Sequence, residues 1–365
     1  MTAFVTWFEQ HAATLDGNWS DLILKEGRPA KYADASGHVV PIPGAPIPSR
    51  EDFHYLLEAQ TRTDFRFTLR NLHNENGLPR ELDYAAIFGG LRFRCNLFHY
   101  MGGNLAMVMR KLNAHIPDFA TLGLPLNTVL PFFARKSGLL LFSGATGSGK
   151  STTMASGLAV QLTRAIHMLT IEDPIEFLLP TDMTAEVTQR EVGVDSISFS
   201  TALRAGLREK PDIIMVGELR DAETIETAAV AANSGHLVMA TTHARTASET
   251  VRRLLDSVPE ASRPSLQNQL ADSILAVIAQ VLVPKADGQG KVLAYEIMTS
   301  SNSVRANIRG GKYEKLPHDI FQGQEEGMTQ MEVCLAEMVR NGTITQDAAM
   351  ASAPDLDTLN QRLSY

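Results

Sequence analysis

The sequence predicts a protein of the α/β class, with an α+β domain followed by a second domain built on a parallel sheet. Two observations predict the second domain: a glycine-rich motif at residues 144–152, and short apolar runs that alternate with helix-like segments from residue 138 onward. The third is length, since 365 residues, 44% of them hydrophobic, can bury the cores of two domains.

The domain boundaries follow from where the pattern changes. We expect the first domain over residues 1–112, a linker over 113–124 and the second domain over 125–365, with C-terminal helices from about residue 300. The linker contains Pro and Gly, which favour irregular structure. A helix over 125–136 is expected to lead into the first strand of the second domain.

The first domain is expected to combine two helices with a sheet. The predicted helices cover residues 2–15 and 51–60; the predicted strands cover 21–24, 39–42, 63–70, 91–98 and 106–111, with a turn at 36–37 and a polar loop at 71–80. Alternation in 91–98 places Arg92 and Arg94 on one face of a strand and Phe93 and Cys95 on the other. The two arginines either cover a solvated face or contact a nucleotide or a neighbouring subunit.

The glycine-rich motif fits the phosphate-binding pattern G-x-x-x-x-G-K-[ST], between an apolar strand at 139–142 and a helix over 150–163. Its glycines let backbone N–H groups curl around phosphate oxygens, and the helix N-terminus adds partial positive charge. Lys150 is suited to reach the β- and γ-phosphates, and the Ser151 hydroxyl is suited to ligate Mg²⁺. The predicted phosphate-binding residues are Gly144, Ala145, Thr146, Gly147, Ser148, Gly149, Lys150, Ser151 and Thr152.

Four apolar runs of the second domain each end in a polar cluster. The runs are 139–142, 168–171, 213–216 and 237–240. They lead to the glycine-rich motif, to Glu172, Asp173 and Glu176, to Glu218, and to His243, respectively. Ligands of open α/β sheets bind beyond the carboxyl ends of the strands, so all four clusters are expected to face one crevice.

Phosphoryl transfer to water needs Mg²⁺, a positioned water and positive charge near the γ-phosphate. Glu218 is placed to hold the Mg²⁺ shell or to orient water, and Glu172 and Glu176 offer further carboxylates. His243 is placed like a sensor of the γ-phosphate, whereas His236 is either part of this site or a structural histidine.

Three arginines flank the third of these strands. Arg204, Arg208 and Arg220 either lie on the surface or reach the γ-phosphate of a neighbouring subunit, as arginine fingers do.

Composition excludes several classes of protein. The net charge of −8 argues against a general nucleic-acid binder, and two cysteines cannot form a zinc cluster or a disulfide framework. The first ten residues lack the features of a signal peptide, and no apolar run approaches the length of a membrane span. We therefore expect any membrane contact to be peripheral or through a partner.

With these residues in view, the chain resembles the secretion-ATPase superfamily of type II and type IV secretion, and most of all the retraction ATPases of type IV pili (PilT-like). Four stretches carry the resemblance: the Walker A motif at 144–152, an acidic box at 170–177, a Walker-B region at 202–221 and a histidine box at 235–243.

The resemblance implies a PAS-like N-terminal domain, a RecA-like P-loop ATPase domain with a parallel sheet, and a C-terminal helical segment. It implies a homohexamer that hydrolyses ATP with Mg²⁺, cytoplasmic and peripheral at the inner membrane, with the membrane platform protein of the machine as partner. It makes Glu176 the catalytic glutamate and Glu218 the Walker-B acid, and gives nucleotide contacts to Arg92, Arg94, Arg204 and Arg220.

The resemblance does not decide which pilus or secretion machine the protein serves. Pilus retraction ATPases carry a helix reading A-I-R-N-L-I-R-E, and residues 303–310 keep Arg305, Ile308 and Arg309 but replace its centre and its final Glu. That helix is either a coupling surface or an ordinary solvated helix. An ATPase of a conjugation or type IV secretion system, a nucleotide-gated scaffold with negligible turnover, and a nucleic-acid translocase are the alternatives, the last disfavoured by the charge of −8.

Overall fold

The computed structural model of the chain describes residues 2–11, 19–34, 38–58, 81–89, 91–112 and 115–364. The chain divides into two compact units: residues 1–115 together with 174–178 form the first, and residues 116–173 together with 179–365 form the second. The linker expected over 113–124 stays a prediction.

The first unit contains a six-stranded antiparallel sheet in the order β3-β2-β1-β6-β5-β4, with two helices. Its elements are α1 (Ala3–His11), β1 (Trp19–Lys25), β2 (Lys31–Asp34), β3 (Val39–Pro41), α2 (Arg50–Glu58), β4 (Glu81–Phe88), β5 (Leu91–Tyr100) and β6 (Asn104–Lys111).

Most elements predicted for the first unit are present, and two strands were missed. The predictions at 63–70, 71–80 and 36–37 lie outside the described residues. The missed strand β4 carried a readable signal, because its buried residues alternate with more exposed ones along its length. The missed strand β2 has only four residues, too few for such a pattern to stand out.

Aromatic side chains fill the core of the first unit. The Phe93 ring is fully buried, and its centroid lies 5.9 Å from those of Phe8 and Trp19 and 6.4 Å from that of Phe88. Helix α1, which carries Phe8, therefore packs on the face of β5 that holds Phe93. Arg94 projects from the opposite face of β5 and is exposed, as the alternation predicted.

The second unit is built on a seven-stranded sheet in the order β13-β12-β7-β11-β10-β8-β9. Every pairing is parallel except that of β12 with β13. The strands are β7 (Gly138–Ser143), β8 (His167–Glu172), β9 (Glu186–Glu191), β10 (Ile213–Val216), β11 (Leu237–Thr242), β12 (Ile274–Pro284) and β13 (Lys291–Thr299). The four strands predicted from apolar runs are β7, β8, β10 and β11, and all four are confirmed.

Helices cover both faces of this sheet and follow it at the C-terminus. They are α3 (Leu126–Val129), α4 (Lys150–Gln161), α5 (Phe199–Gly206), α6 (Ala222–Asn233), α7 (Ala247–Asp256), α8 (Arg263–Ser273), α9 (Asn302–Arg309), α10 (Leu316–Gln322), α11 (Met331–Arg340), α12 (Gln346–Ser352) and α13 (Leu356–Leu363). Short 3-10 helices cover Phe119–Thr121, Leu130–Ala134, Leu207–Glu209, Tyr313–Lys315 and Gly323–Glu326. Within the described ranges, no helix combines the length and apolar character that crossing a membrane requires.

Two helix predictions need correction. The single helix expected over 125–136 is instead α3 followed by a 3-10 helix, and the change falls at Pro131, which cannot donate an N–H to a continuous α-helix. The other concerns α9, where Ile308 is buried in the hydrophobic core while Arg305 and Arg309 are exposed, so a coupling surface on these arginines stays a prediction. On the same helix Arg309 pairs with Asp272 of α8.

Alternate residues of β7 enter two different hydrophobic clusters. Leu139 and Leu141 pack in the cluster that contains α6, whereas Leu140 and Phe142 pack in the cluster that contains α4. The strand is thus buried on both faces, which is why it appears in the sequence as an unbroken apolar run.

Gly157 of α4 gives a test of this packing. A Cβ atom there would lie 2.0 Å from the ring of Phe133, which is fully buried. Gly157→Ala should therefore lower the free energy of unfolding by about 1–3 kcal/mol, the cost of overpacking. This is opposite in sign to the gain that Gly→Ala gives in an open helix. Thermal or urea unfolding measures it.

Ser156→Ala is the matched control, since Ser156 is the neighbouring buried residue and its hydroxyl has no hydrogen-bond partner among the described residues. It should leave the free energy of unfolding nearly unchanged. Equal stability of Gly157→Ala and wild type would show that Phe133 does not pack against α4.

Candidate nucleotide-binding site

The glycine-rich loop joins the end of β7 to the start of α4 and depends on glycine for its shape. Gly144, Gly147 and Gly149 have φ angles of +142°, +78° and +88°, which other residues rarely adopt. At Gly144 a Cβ atom would also lie 2.3 Å from the carbonyl oxygen of Gln280 and 2.5 Å from Ser148 Oγ. The loop therefore packs tightly against β12, and a side chain at Gly144 would displace it.

Lys150 begins α4 and is buried, with only 7% of its surface exposed. Its Nζ donates to the carbonyl oxygens of Gly144 and Ala145, at 2.8 and 2.9 Å. Ser148 is also buried, and its Oγ has no hydrogen-bond partner among the described residues. A buried ammonium group, an unsatisfied hydroxyl and a helix N-terminus thus meet in one loop, an arrangement that favours anions.

The parallel pairing brings the four predicted clusters of the second unit to one edge of its sheet. Thr242 at the end of β11 pairs with Ser143 of β7, and Ala240 pairs with Val216 at the end of β10. Val216 in turn pairs with Ile171 of β8. The segments that follow these strands carry the glycine-rich loop, His243, Glu218 and the acidic residues 172–173, so the predicted convergence is present.

Glu218 lies at the centre of a small charged cluster at this edge. One of its carboxylate oxygens is 2.6 Å from Arg220 NH2, and the other is 3.0 Å from His243 Nε2. Partial burial raises the pKa of Glu218, but the hydrogen bond from Arg220, its positive charge and the contact with His243 outweigh it and hold the pKa below its usual value. Glu218 is therefore ionised at neutral pH.

Glu172 ends β8 at the same edge but is turned inward. Its exposed fraction is 6%, and its Oε1 accepts hydrogen bonds from Thr170 Oγ1 at 2.8 Å and Gln189 Nε2 at 3.2 Å. The contact with Gln189 joins β8 to β9, so the geometry favours a structural role over the predicted contact with nucleotide.

Glu176 lies in the segment 174–178, which groups with the first unit. It is half-buried, and its catalytic role stays a prediction.

His236 is not part of this edge, which corrects its prediction as a nucleotide contact. It immediately precedes β11, and its backbone carbonyl accepts a hydrogen bond from the Gly138 N–H at the start of β7. The glycine-rich loop follows the other end of β7, about 20 Å away at the rise of a β-strand. The His236 ring instead lies 3.3 Å from the Ala231 carbonyl oxygen, a contact typical of a structural histidine.

The predicted arginines are found in different surroundings. Arg220 binds Glu218, as described, whereas Arg204 pairs with Glu223 of α6. Arg208 lies exposed on the 3-10 helix that follows α5. Of these, only Arg220 belongs to the Glu218 cluster.

Arg92 and Arg94 lie on β5 of the first unit. Arg94 is opposite Arg110 of β6, which is bound to Asp21 at 2.8 Å. Arg94 itself is exposed and has no ion-pair or hydrogen-bond partner among the described residues, while Arg92 is half-buried.

Sequence reasoning missed Gln280, which lies beside the loop on β12. Its Nε2 donates to Thr153 Oγ1 at 2.8 Å, so it fixes the first turn of α4. A signal was available, because Gln280 is the only polar residue in the apolar run of β12.

Comparison with known proteins identifies the family. The model of the family described as "Type II/IV secretion system protein" matches residues 57–353. The chain belongs to this family. One relative is the uncharacterized protein YggR of Escherichia coli K12, which is 38% identical over 91% of this chain and 98% of its own length. The type IV pilus retraction ATPase PilT of Pseudomonas aeruginosa is 38% identical over 83% of this chain and 81% of its own length.

Solved structures agree with this assignment. The crystal structure of the pilus retraction motor PilT with bound ADP matches at a TM-score of 0.85 and 36% identity, covering 99% of this chain and 100% of that one. The Legionella pneumophila ATPase DotB matches at a TM-score of 0.79 and 27% identity, covering 95% and 94%. The predicted α/β fold class, with an N-terminal domain and an ATPase domain, is confirmed, and the ADP-bound neighbour supports nucleotide binding by this family member.

The residues of the loop fit the phosphates of a nucleotide. Lys150 supplies positive charge, Ser148 Oγ is a buried donor without a described partner, and no room exists for a side chain at Gly144. Ser151 follows Lys150, and Glu218 is ionised at the same edge; both offer the oxygen ligands that Mg²⁺ prefers.

Lys150→Ala tests the loop directly. Loss of the ammonium group leaves phosphate charge without its neutralising partner, so affinity for Mg²⁺-ATP should fall sharply and turnover should drop by about a hundredfold or more. Binding of a fluorescent ATP analogue and phosphate release measure the two effects. Lys136→Ala is the control, since Lys136 is exposed just before β7. Normal binding by Lys150→Ala would contradict the assignment of the loop.

Proposed function

We propose that this protein is a Mg²⁺-dependent ATPase that works as a homohexameric motor and powers the retraction of a type IV pilus at the cytoplasmic side of the inner membrane. The observation that carries the ATPase part is the cluster of Glu218, Arg220 and His243 at the same sheet edge as the phosphate-binding loop.

The chemistry assigns a task to each group. Lys150 and the N–H groups of the loop bind the phosphates, and Ser151 and Glu218 would hold the metal, which when bound neutralises phosphate charge. Glu218 or Glu176 orients or deprotonates the attacking water. Arg220 and His243 hold the ionised Glu218 carboxylate in a fixed position, so it is in place before the substrate arrives.

The pilus part of the proposal is supported by the relatives. The PilT neighbour is named a pilus retraction motor, and the likeness to it covers nearly the whole chain. The type IV pilus ATPase PilU of Pseudomonas aeruginosa is 33% identical over 93% of this chain. We infer that this protein forms a similar motor, and that a membrane platform protein of the pilus receives its motion.

An ATPase of a conjugation or type IV secretion system is the second candidate. The family description covers type II and type IV secretion, and α9 departs from the retraction motif. Asn307, at the changed centre of that motif, donates to Asp319 of α10 at 2.6 Å, so this position serves the fold. A scaffold without turnover is disfavoured, because Lys150, Ser151, Glu176 and Glu218 are all retained.

Glu218→Gln is the experiment that tests the ATPase. The amide keeps the shape but loses the charge that orients water and metal, so ATP should still bind while turnover falls by about a hundredfold or more. Glu176→Gln should behave in the same way. Phosphate release from purified protein measures both, with Glu226→Gln on α6 as a control that should keep wild-type activity. Wild-type turnover in both site variants would contradict the proposed chemistry.

The same variant identifies the machine in cells. A deletion strain carrying the wild-type gene should regain pilus retraction, measured as twitching motility, and one carrying Glu218→Gln should not. Rescue of DNA or protein transfer without any effect on twitching would favour the second candidate.

Arg94→Ala tests the proposed nucleotide contact of the first unit. Because the Arg94 guanidinium has no described partner, its loss should leave folding intact while hydrolysis drops by about tenfold, as expected for a charged group that stabilises phosphate. Arg110→Ala is the matched control: it removes an exposed arginine opposite Arg94 that is already bound to Asp21. Equal activity of the two variants would leave Arg94 as solvated surface.

A further inference from the structure

Glu296 is a buried carboxylate that binds the start of one helix and lies near the start of another. It lies on β13, with 6% of its surface exposed. The Ala247 N–H donates to its Oε1 at 2.7 Å, and the Met331 N–H lies near the same carboxylate and lowers its pKa. Ala247 is the first residue of α7 and Met331 the first residue of α11. N–H groups in the first turn of a helix have no partner within the helix, so Glu296 satisfies that of Ala247 and attracts that of Met331.

Helix α7 begins directly after the segment that carries His243. Residues 243–246 join the end of β11 to Ala247, and His243 Nε2 contacts Glu218 at 3.0 Å. Arg253 of α7 donates to the His243 carbonyl oxygen, and Arg245 donates to the carbonyl oxygen of Ala353 at 3.2 Å. The segment is thus fixed at one end by the sheet and at the other by the contact between Ala247 and Glu296.

A carboxylate suits this place because it offers an acceptor oxygen to the Ala247 N–H and negative charge to the nearby Met331 N–H. A glutamine of the same shape offers one acceptor oxygen and turns an NH₂ group toward the other N–H. Burial and the charges of Glu332 on α11 and Glu249 on α7 raise the pKa of Glu296, and the Ala247 and Met331 N–H groups lower it, which leaves it at about 7. An apolar residue would avoid the cost of burying the carboxylate but would leave the Ala247 N–H unsatisfied.

We propose that Glu296 is a positioning residue for ATP hydrolysis, which holds His243 against Glu218 by anchoring the start of α7 and lies with the same carboxylate near the start of α11. The inference rests on the proposed function, because it acts through the Glu218 cluster. It adds a residue that touches neither nucleotide nor metal, and it links the site to the C-terminal helices.

Glu296→Gln is the first test. With one of the two N–H groups facing an NH₂ group, the start of α7 loses its fixed position, and the contact between His243 and Glu218 loosens. We expect kcat to fall by about tenfold, the effect of losing a hydrogen bond to a charged group, while KM for ATP stays within about twofold because the phosphate-binding loop is untouched.

Glu332→Gln is the matched control. Glu332 is also a buried carboxylate with a raised pKa, but the hydrogen bond that it accepts comes from the Asp355 N–H, just before α13, and not from α7. It should keep the wild-type kcat. Melting temperatures of all variants, followed by circular dichroism, show which ones are folded.

Ala247→Pro removes the same hydrogen bond from the other side and leaves Glu296 in place. Proline is well tolerated at the first position of a helix, and the extended conformation of Thr246 suits a residue that precedes proline. This variant should reproduce the loss in kcat even if Glu296→Gln proves unstable.

A double-mutant cycle with His243→Ala decides whether Glu296 acts through His243. If it does, Glu296→Gln should have no further effect on kcat in the His243→Ala background. A tenfold loss in both backgrounds, or wild-type kcat in Glu296→Gln and Ala247→Pro, would overturn the inference while leaving the proposed function intact. Absence of turnover in the wild-type protein would overturn the proposed function and this inference with it.

Discussion

The parallel pairing of β8, β10, β11 and β7 is the constraint on which the rest of the second unit depends. These strands are apolar and buried on both faces, so polar groups are tolerated only where the strands end. Parallel order brings those ends to one edge, and the connecting segments there carry the phosphate-binding loop, Glu218 and His243. The site is therefore a consequence of how the sheet is buried. Gly144 and His243 both belong to it, although 99 positions separate them in the sequence.

Charge placed at this edge has to be compensated, because a partly buried carboxylate costs free energy unless it is paired. Glu218 has two partners, and both follow the ends of strands: Arg220 after β10 and His243 after β11. The first partner is two residues away and needs no tertiary support. The second depends on the path of residues 243–246, and so on whatever fixes the start of α7. The contact between His243 and Glu218 thus depends on contacts that extend to β13.

The sequence predicted the features that depend on local signals and missed partners that depend on tertiary contacts. Runs of four apolar residues located the four central strands, and the motif located the loop, because both signals are local. His236 was predicted at the site because it is close to His243 in the sequence. The two histidines precede and follow β11, so the six residues of that strand place them at its opposite ends. Strand β4 was missed although its alternation is readable. The partners of Gln280 and Glu296 could not be predicted, because they lie 127 and 49 positions away and depend on tertiary packing.

Gln280 and Glu296 show how two neighbouring strands at one side of the sheet, which carry no motif, contribute to the site. Each is a polar residue in an otherwise apolar stretch, on the neighbouring strands β12 and β13. Gln280 holds the first turn of α4 through Thr153, and its carbonyl oxygen limits the space at Gly144. Glu296 holds the first residue of α7. Both helices begin where a site segment ends, and a helix start exposes N–H and side-chain groups that need fixed partners. Strands β12 and β13 therefore fix the positions of two segments that the central strands only bring to the same end of the sheet.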